Sequence, residues 1–304
     1  MRIQRWISLK LDPPYVFAMT HKTVLGLHPS HRDDIADLVT RRPVPGPKIS
    51  QVDPFLFLNH HGPQTYPHNN RGLPFGPHPH RGFETVTFIL EGELMHRDSG
   101  GHESVIRAGG VQWMTAGSGL VHAELSPDAF KRIGGPLEIL QLWVNLPSRL
   151  KMTSPRYQGL QADQIPSITT ADEKARVSLI SGKWGGQSGP VESITGNFMT
   201  TIEAEAGARL DFKDLEQRSV FLYVVSGDVR VNGREVTQYN LVELELAGDE
   251  LTIEATTPAR LLFGHGEAIN EPVVAHGPFV MNTVDEIRQA IGDYQAGKFG
   301  NVTA

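Results

Sequence analysis

Two pairs of residues, each spaced by two, carry the chemistry of this chain. His78 and His80 stand in Gly76-Pro-His-Pro-His-Arg-Gly-Phe-Glu84, and His122 and Glu124 in Gly117-Ser-Gly-Leu-Val-His-Ala-Glu124. Side chains two apart on a strand point to the same side of a sheet, so two such strands can turn all four groups onto one ion. Three imidazoles and one carboxylate suit a borderline first-row metal (iron, manganese, nickel, copper or zinc) better than calcium or magnesium, which prefer all-oxygen shells. The chain has no cysteine, so any transition metal must be held by His and carboxylates, and disulfides and thiolate chemistry are excluded.

The elements that must position these groups read as β-structure. From Asp53 onward, short apolar runs alternate with Gly- and Pro-bearing turns: 54–58, 84–90, 93–97, 103–107, 111–115, 121–125 and 138–146. Glu91-Gly92, Ser99-Gly100-Gly101, Gly109-Gly110 and Gly117-Ser-Gly119 supply the turns of antiparallel hairpins. After a looser connector the pattern resumes over 198–204, 220–225, 228–231, 240–244, 251–255 and 260–264, as a second copy of one plan. That copy has no His between Arg176 and Phe263 and cannot host the same metal. The expected fold class is all-β, two closed or sandwiched domains followed by a short amphipathic helix. Thr283 and Glu286 are spaced as its capping box; Ile287, Ala290, Ile291 and Tyr294 form its apolar face, and Gly297 its stop.

The expected organisation is an N-terminal extension (1–30), a metal-binding domain (31–150), a connector (151–190), a second domain without ligands (191–270) and a tail bearing the helix (271–304). The leading segment is weakly periodic, and Met19 is an alternative start. Its charges at Arg2, Arg5, Lys10 and Asp12, with no apolar stretch of signal-peptide length, give no export signal, and no segment reads as a membrane span, so a cytoplasmic location is expected. A net charge of −6, with Arg41, Arg42 and Lys48 too sparse for a basic patch, argues against direct nucleic-acid binding.

Eight of the 13 His lie between His60 and His122, and several have plainer readings than ligation. His96 and His102, in or beside a hairpin turn, read as solvated imidazoles. Of His60 and His61, one would line the pocket mouth and the other face water. Glu84 shares parity with His78 and His80, as a fifth ligand or as an outer acceptor fixing a His tautomer. Phe83, Trp113 and Met114 are candidate pocket walls, as are Gln141 and Trp143, each with plain core packing as the alternative. His276 is expected to dock the tail.

Gly72 to His78 with His80 and Glu84 resembles the first cupin motif, and Gly110 onward with Gly119 and His122 the second. More specifically, His78-Pro-His-Arg-Gly-Phe-Glu-Thr85, Gln112-Trp-Met-Thr-Ala-Gly117, Leu120-Val-His-Ala-Glu124, Gln141-Leu-Trp-Val-Asn-Leu146 and Glu271-Pro-Val-Val-Ala-His-Gly-Pro-Phe-Val-Met-Asn-Thr283 resemble the pirin family. The resemblance spans roughly residues 37 to 299. It implies a bicupin of two β-barrels, with Fe(II) or a similar ion in the first, held by His78, His80, His122 and Glu124. The general cupin pattern would instead choose Glu84; the more specific match favours Glu124 and moves Glu84 outside the ligand set. One departure is Asn59, near which pirins commonly carry an acidic residue, implying a different access channel.

The resemblance also implies an activity: a flavonol 2,4-dioxygenase of quercetinase type, acting on a small aromatic flavonol and dioxygen, with Glu124 as the proton acceptor. The alternative it offers is an iron-binding, redox-responsive regulator acting through a protein partner. A purely structural ion is a third reading.

Overall fold

The computed structural model describes residues 20–302. The expected start at Met19 and most of the expected extension lie outside the described residues.

Each half of the chain forms a barrel from a seven-stranded and a four-stranded sheet. In the first barrel the large sheet runs Arg156–Leu160, Val111–Thr115, Phe83–Glu91, Gly135–Asn145, Phe55–Tyr66, Thr40–Val44, His31–Arg32. Its small sheet runs Phe75–His80, Leu120–Leu125, Glu93–Asp98, Glu103–Arg107. All these pairings are antiparallel. Alternation along one central strand explains the layers: Thr87 and Ile89 turn into the barrel, while Val86 and Phe88 turn outward toward the second barrel.

The second barrel repeats the plan, and its interior is apolar, packed with Phe198, Phe212, Leu222, Ile253, Leu261 and Phe263. The two large sheets lie back to back. Phe55, Leu58, Val86, Trp113 and Leu142 meet Ile180, Met199, Phe221, Tyr223 and Leu262, and the Phe55 and Phe221 rings are 5.3 Å apart. This continuous apolar layer makes the two barrels one packed body.

The ends of the chain depart from the expected boundaries. Val24–Pro29, read as part of an extension, pairs antiparallel with Asn240–Leu244 and is an edge strand of the second barrel, with Leu27 opposite Val242. Its weak periodicity follows from its place: an edge strand with one largely exposed face needs few apolar residues. The 151–190 connector likewise gives Arg156–Leu160 to the first barrel and Ser167–Thr169 and Ala175–Ser181 to the second.

The tail folds as expected into a capped helix, Val284–Gln295, with the reciprocal Thr283 and Glu286 hydrogen bonds of a capping box. Ile287 and Ala290 are buried against Phe279, Met281, Phe299 and Val121, so its host is the first barrel. The docking side chains are these apolar residues, whereas His276 is exposed at the tip of the Val274–His276/Phe279–Met281 hairpin.

Candidate metal centre

Pairing between Phe75–His80 and Leu120–Leu125 brings the histidines together. His122 lies opposite His78, and Leu120 opposite His80. The ring centroids are separated by 4.4 Å for His78 and His122, 4.9 Å for His80 and His122, and 4.8 Å for His78 and His80. One nitrogen from each imidazole lies within 4.8 Å of the others. His80 and His122 are buried, while His78 is half-buried on the open side.

Two backbone carbonyls orient two of the rings. His78 Nδ1 donates to Gly76 O at 2.7 Å, and His80 Nδ1 to Pro278 O at 3.2 Å, which leaves each Nε2 with a free lone pair. Burial pushes His80 down to about 3 and His122 well below its usual range, the neighbouring imidazoles adding to both shifts. Both rings are therefore neutral near pH 7 and can serve as ligands. His122 is fully buried with neither ring nitrogen hydrogen-bonded. An imidazole so placed is costly unless something takes its lone pair, and a first-row cation among three convergent imidazoles would do so.

Glu124 follows His122 across a bulge in the pairing and is not a member of the three-imidazole group. Its carboxylate spans the barrel interior: Thr87 Oγ1 donates to Oε1 at 2.9 Å and Gln141 Nε2 to Oε2 at 2.5 Å. Gln112, Thr87, Gln141 and Asn59 are consecutive cross-strand partners, forming one polar row on the large sheet. The adjoining row is Met114, Thr85, Trp143 and Phe57, on the side of the histidines. On the other side, Ile89, Ile139, Leu94, Ile106 and Leu137 close the barrel. The interior is thus layered: apolar floor, polar girdle around Glu124, then imidazoles beneath an aromatic rim.

Of the candidate walls, Phe83 lies 5.1 Å from His80 and 4.5 Å from Trp143, and Trp143 lies 5.5 Å from His80 and stacks on Phe57 at 4.6 Å. Met114 packs within the barrel against Leu120 and Tyr157. Trp113 does not belong to the pocket, since it faces the second barrel. Nor does Glu84: its Oε1 accepts from Thr115 Oγ1 at 2.6 Å on the outward face of its strand, and burial raises its carboxyl despite that bond. Gly82 explains the error in parity. At φ 89° it ends the histidine strand and starts a new one in the other sheet, and a Cβ there would lie 2.0 Å from Val280 O.

Three other imidazoles depart from their sequence readings. His96 is buried, not solvated: it stacks on Tyr157 at 4.0 Å, donates to Asp98 Oδ2 at 3.0 Å and lies 5.5 Å from His122. Burial would raise Asp98, but bonds from His96 and from the His102 amide and ring hold it down at about 2. His102 remains half-exposed, as expected. His60 and His61 are both buried. His60 lies between the barrels, its Nε2 2.9 Å from Glu138 Oε1 and its Nδ1 3.0 Å from Tyr223 Oη; His61 meets Thr40 Oγ1 at 2.8 Å. Thr87, Gln112 and Tyr157 were given no role from the sequence. Thr87 alone carried a usable signal, its even spacing from Phe83.

Two antiparallel barrels in tandem, with three histidines convergent in the first, define a bicupin with a candidate metal centre. The pirin family model matches residues 37–144, and the model of the pirin C-terminal cupin domain matches residues 199–300. The chain belongs to the pirin family. It is 40% identical over 255 residues to a pirin-like protein of Caulobacter vibrioides, covering 83% of this chain and 90% of the relative. A crystal structure of quercetin 2,3-dioxygenase from Acinetobacter baumannii superposes with a TM-score of 0.87 at 33% identity, covering 93% of this chain and 100% of the other. The fold is also that of a bacterial pirin from Escherichia coli in complex with nickel(II), with a TM-score of 0.64 at 20% identity over 80% of this chain and 98% of the other.

Proposed function

We propose that this protein is a metal-dependent dioxygenase of the quercetinase type, opening a flavonol ring with dioxygen and releasing carbon monoxide. His78, His80, His122 and Glu124 would hold the ion, with Fe(II) as the leading candidate among iron, manganese, nickel, copper and zinc. The observation that carries this reading is His122, fully buried with two unpartnered nitrogens beside two rings whose Nε2 atoms are free. Relatives add support: the similar Acinetobacter baumannii protein is a quercetin dioxygenase, and the Escherichia coli pirin binds nickel.

When bound, the ion supplies a Lewis-acid site for the flavonol oxygens and an electron path to dioxygen. The protein's own groups do the rest. The neutral His80 and His122 rings provide lone pairs without adding charge to the site. Glu124, steadied by Thr87 and Gln141, takes the proton of the flavonol 3-hydroxyl. Phe83, Trp143 and Phe57 offer aromatic faces to a planar substrate, and the closed floor keeps bulk water from the reacting ring.

The test is incubation of metal-loaded protein with quercetin and oxygen, following loss of flavonol absorbance and carbon monoxide release. Turnover well above that of Glu124→Ala is expected; equal rates would sink the enzyme reading and favour the regulatory one.

A further inference from the structure

The residue that follows His80 is buried, and it binds the distant tail. Arg81 donates through Nε to Ser118 O at 2.7 Å, in the turn leading to the His122 strand, and through Nη1 to Asp293 Oδ2 at 2.9 Å. Its guanidinium lies 4.5 Å above the Phe299 ring. The bond from His80 Nδ1 to Pro278 O spans 198 residues of sequence, and Val280 N donates to Arg81 O at 3.1 Å. On the other side of the turn, Lys151 Nζ ties Gly82 O to Val280 O, at 2.9 and 3.1 Å. The tail therefore grips both sides of the peptide that presents His80.

We propose that the tail is a positioning element of the metal centre: Pro278 O and the Arg81–Asp293 pair hold His80 in its ligating tautomer and orientation, coupling metal occupancy to tail docking. The inference rests on the reading that the three histidines hold an ion. Because the His80 Nδ1 proton must be given to a carbonyl for Nε2 to stay free, the tail supplies the acceptor that selects the tautomer. Asp293 fixes the neighbouring guanidinium with two parallel supports, since its other oxygen accepts from Gln289 and Lys298 at 2.8 and 2.7 Å. Coupling of this kind is reciprocal: if docking favours the metal, the metal must favour docking by the same factor.

The experiment uses the full chain and nickel(II) as probe. Chelator competition measures affinity for native protein, Asp293→Ala, Asp293→Asn and Arg288→Ala, the last altering an exposed pair on the same helix. Cobalt(II) spectra report ligand orientation, and amide exchange of Val280 and its neighbours is followed with and without nickel. Asp293→Ala should lose about tenfold or more in affinity and shift the cobalt bands; Asp293→Asn should retain part of the affinity, and Arg288→Ala all of it. Loading should slow exchange in the native tail. Native affinity and an unchanged spectrum in Asp293→Ala, or exchange indifferent to nickel, would overturn the proposal. If Asp293→Ala fails to fold, exchange in the native chain decides alone. A native chain that takes up no nickel removes the site reading and this inference together, whereas coupling without quercetin turnover removes only the dioxygenase reading.

Discussion

Gln141 and Glu124 stand on opposite sheets of the first barrel, and the Gln141 amide reaches across to the Glu124 carboxylate at 2.5 Å. This bond and the one from Thr87 fix the only acidic side chain of the polar girdle, two residues along the strand from His122. Gln141→Ala should leave metal content close to native and lower kcat/KM for quercetin by about 10–100-fold, the usual effect of removing a group that orients a ligand or base. Elemental analysis beside steady-state kinetics checks both halves; unchanged kinetics would show that the bond does not matter to turnover.

His122→Ala should abolish stoichiometric metal binding, because it takes the central ring from a group of three. The same substitution removes two unpaired buried nitrogens from the metal-free protein. Stability without metal should therefore fall by less than a buried His→Ala change ordinarily costs, and stability with metal by much more. Thermal melts with and without nickel measure the difference.

Buried His61 and partly buried His265 set a pH dependence for the metal-free protein. Burial lowers His61 and His265 to about 3 from an ordinary 6.5, with nearby cations adding to each shift. Below pH 6.5 the unfolded chain takes up protons that the native chain refuses until about pH 3. Their contribution to stability is complete above pH 6.5 and declines as the pH falls toward 3, by up to about 1.4 kcal/mol per pH unit for each group. Urea midpoints between pH 7.5 and pH 5 should fall accordingly, and His61→Gln should flatten the slope.

Tyr223→Phe tests the contact between barrels. With His60 Nε2 donating to Glu138, Nδ1 accepts from the Tyr223 hydroxyl. Removing that hydroxyl leaves a buried acceptor unpaired, at a cost of about 1–3 kcal/mol in denaturant unfolding. Loss of turnover at constant metal content is not expected, because neither residue faces the metal centre.

The centre was legible where chemistry coincided with strand period. His78 and His80, two apart on one strand, turn to one face by alternation alone, and pairing brings His122 to them; Glu124 follows a bulge and stands outside that group. Glu84 was misread because parity holds only within one strand, and the positive φ at Gly82 restarts the count. Trp113 and Met114 are neighbours of similar character. Only the second barrel packed behind the first decides that Trp113 belongs to an interface and Met114 to the interior. His96 looked like a turn residue, and its burial depends on Tyr157, which arrives on a later strand. The Val24–Pro29 strand had little apolar signal because it is an edge strand with a largely exposed face, and its partner, 240–244, lies too far along the chain to reveal the pairing.

The crossing of the two chain ends has a consequence for synthesis. The ribosome emits Val24–Pro29 long before the Asn240–Leu244 strand it must join, and His80 198 residues before the carbonyl that orients it. At about 5–20 residues per second, that second interval is on the order of ten to forty seconds. During that time a nascent first barrel carries its three histidines without the tail. On the proposal that the tail positions His80, a well-formed centre requires a chain whose translation has passed its second barrel, and metal loading would then favour finished molecules over growing ones.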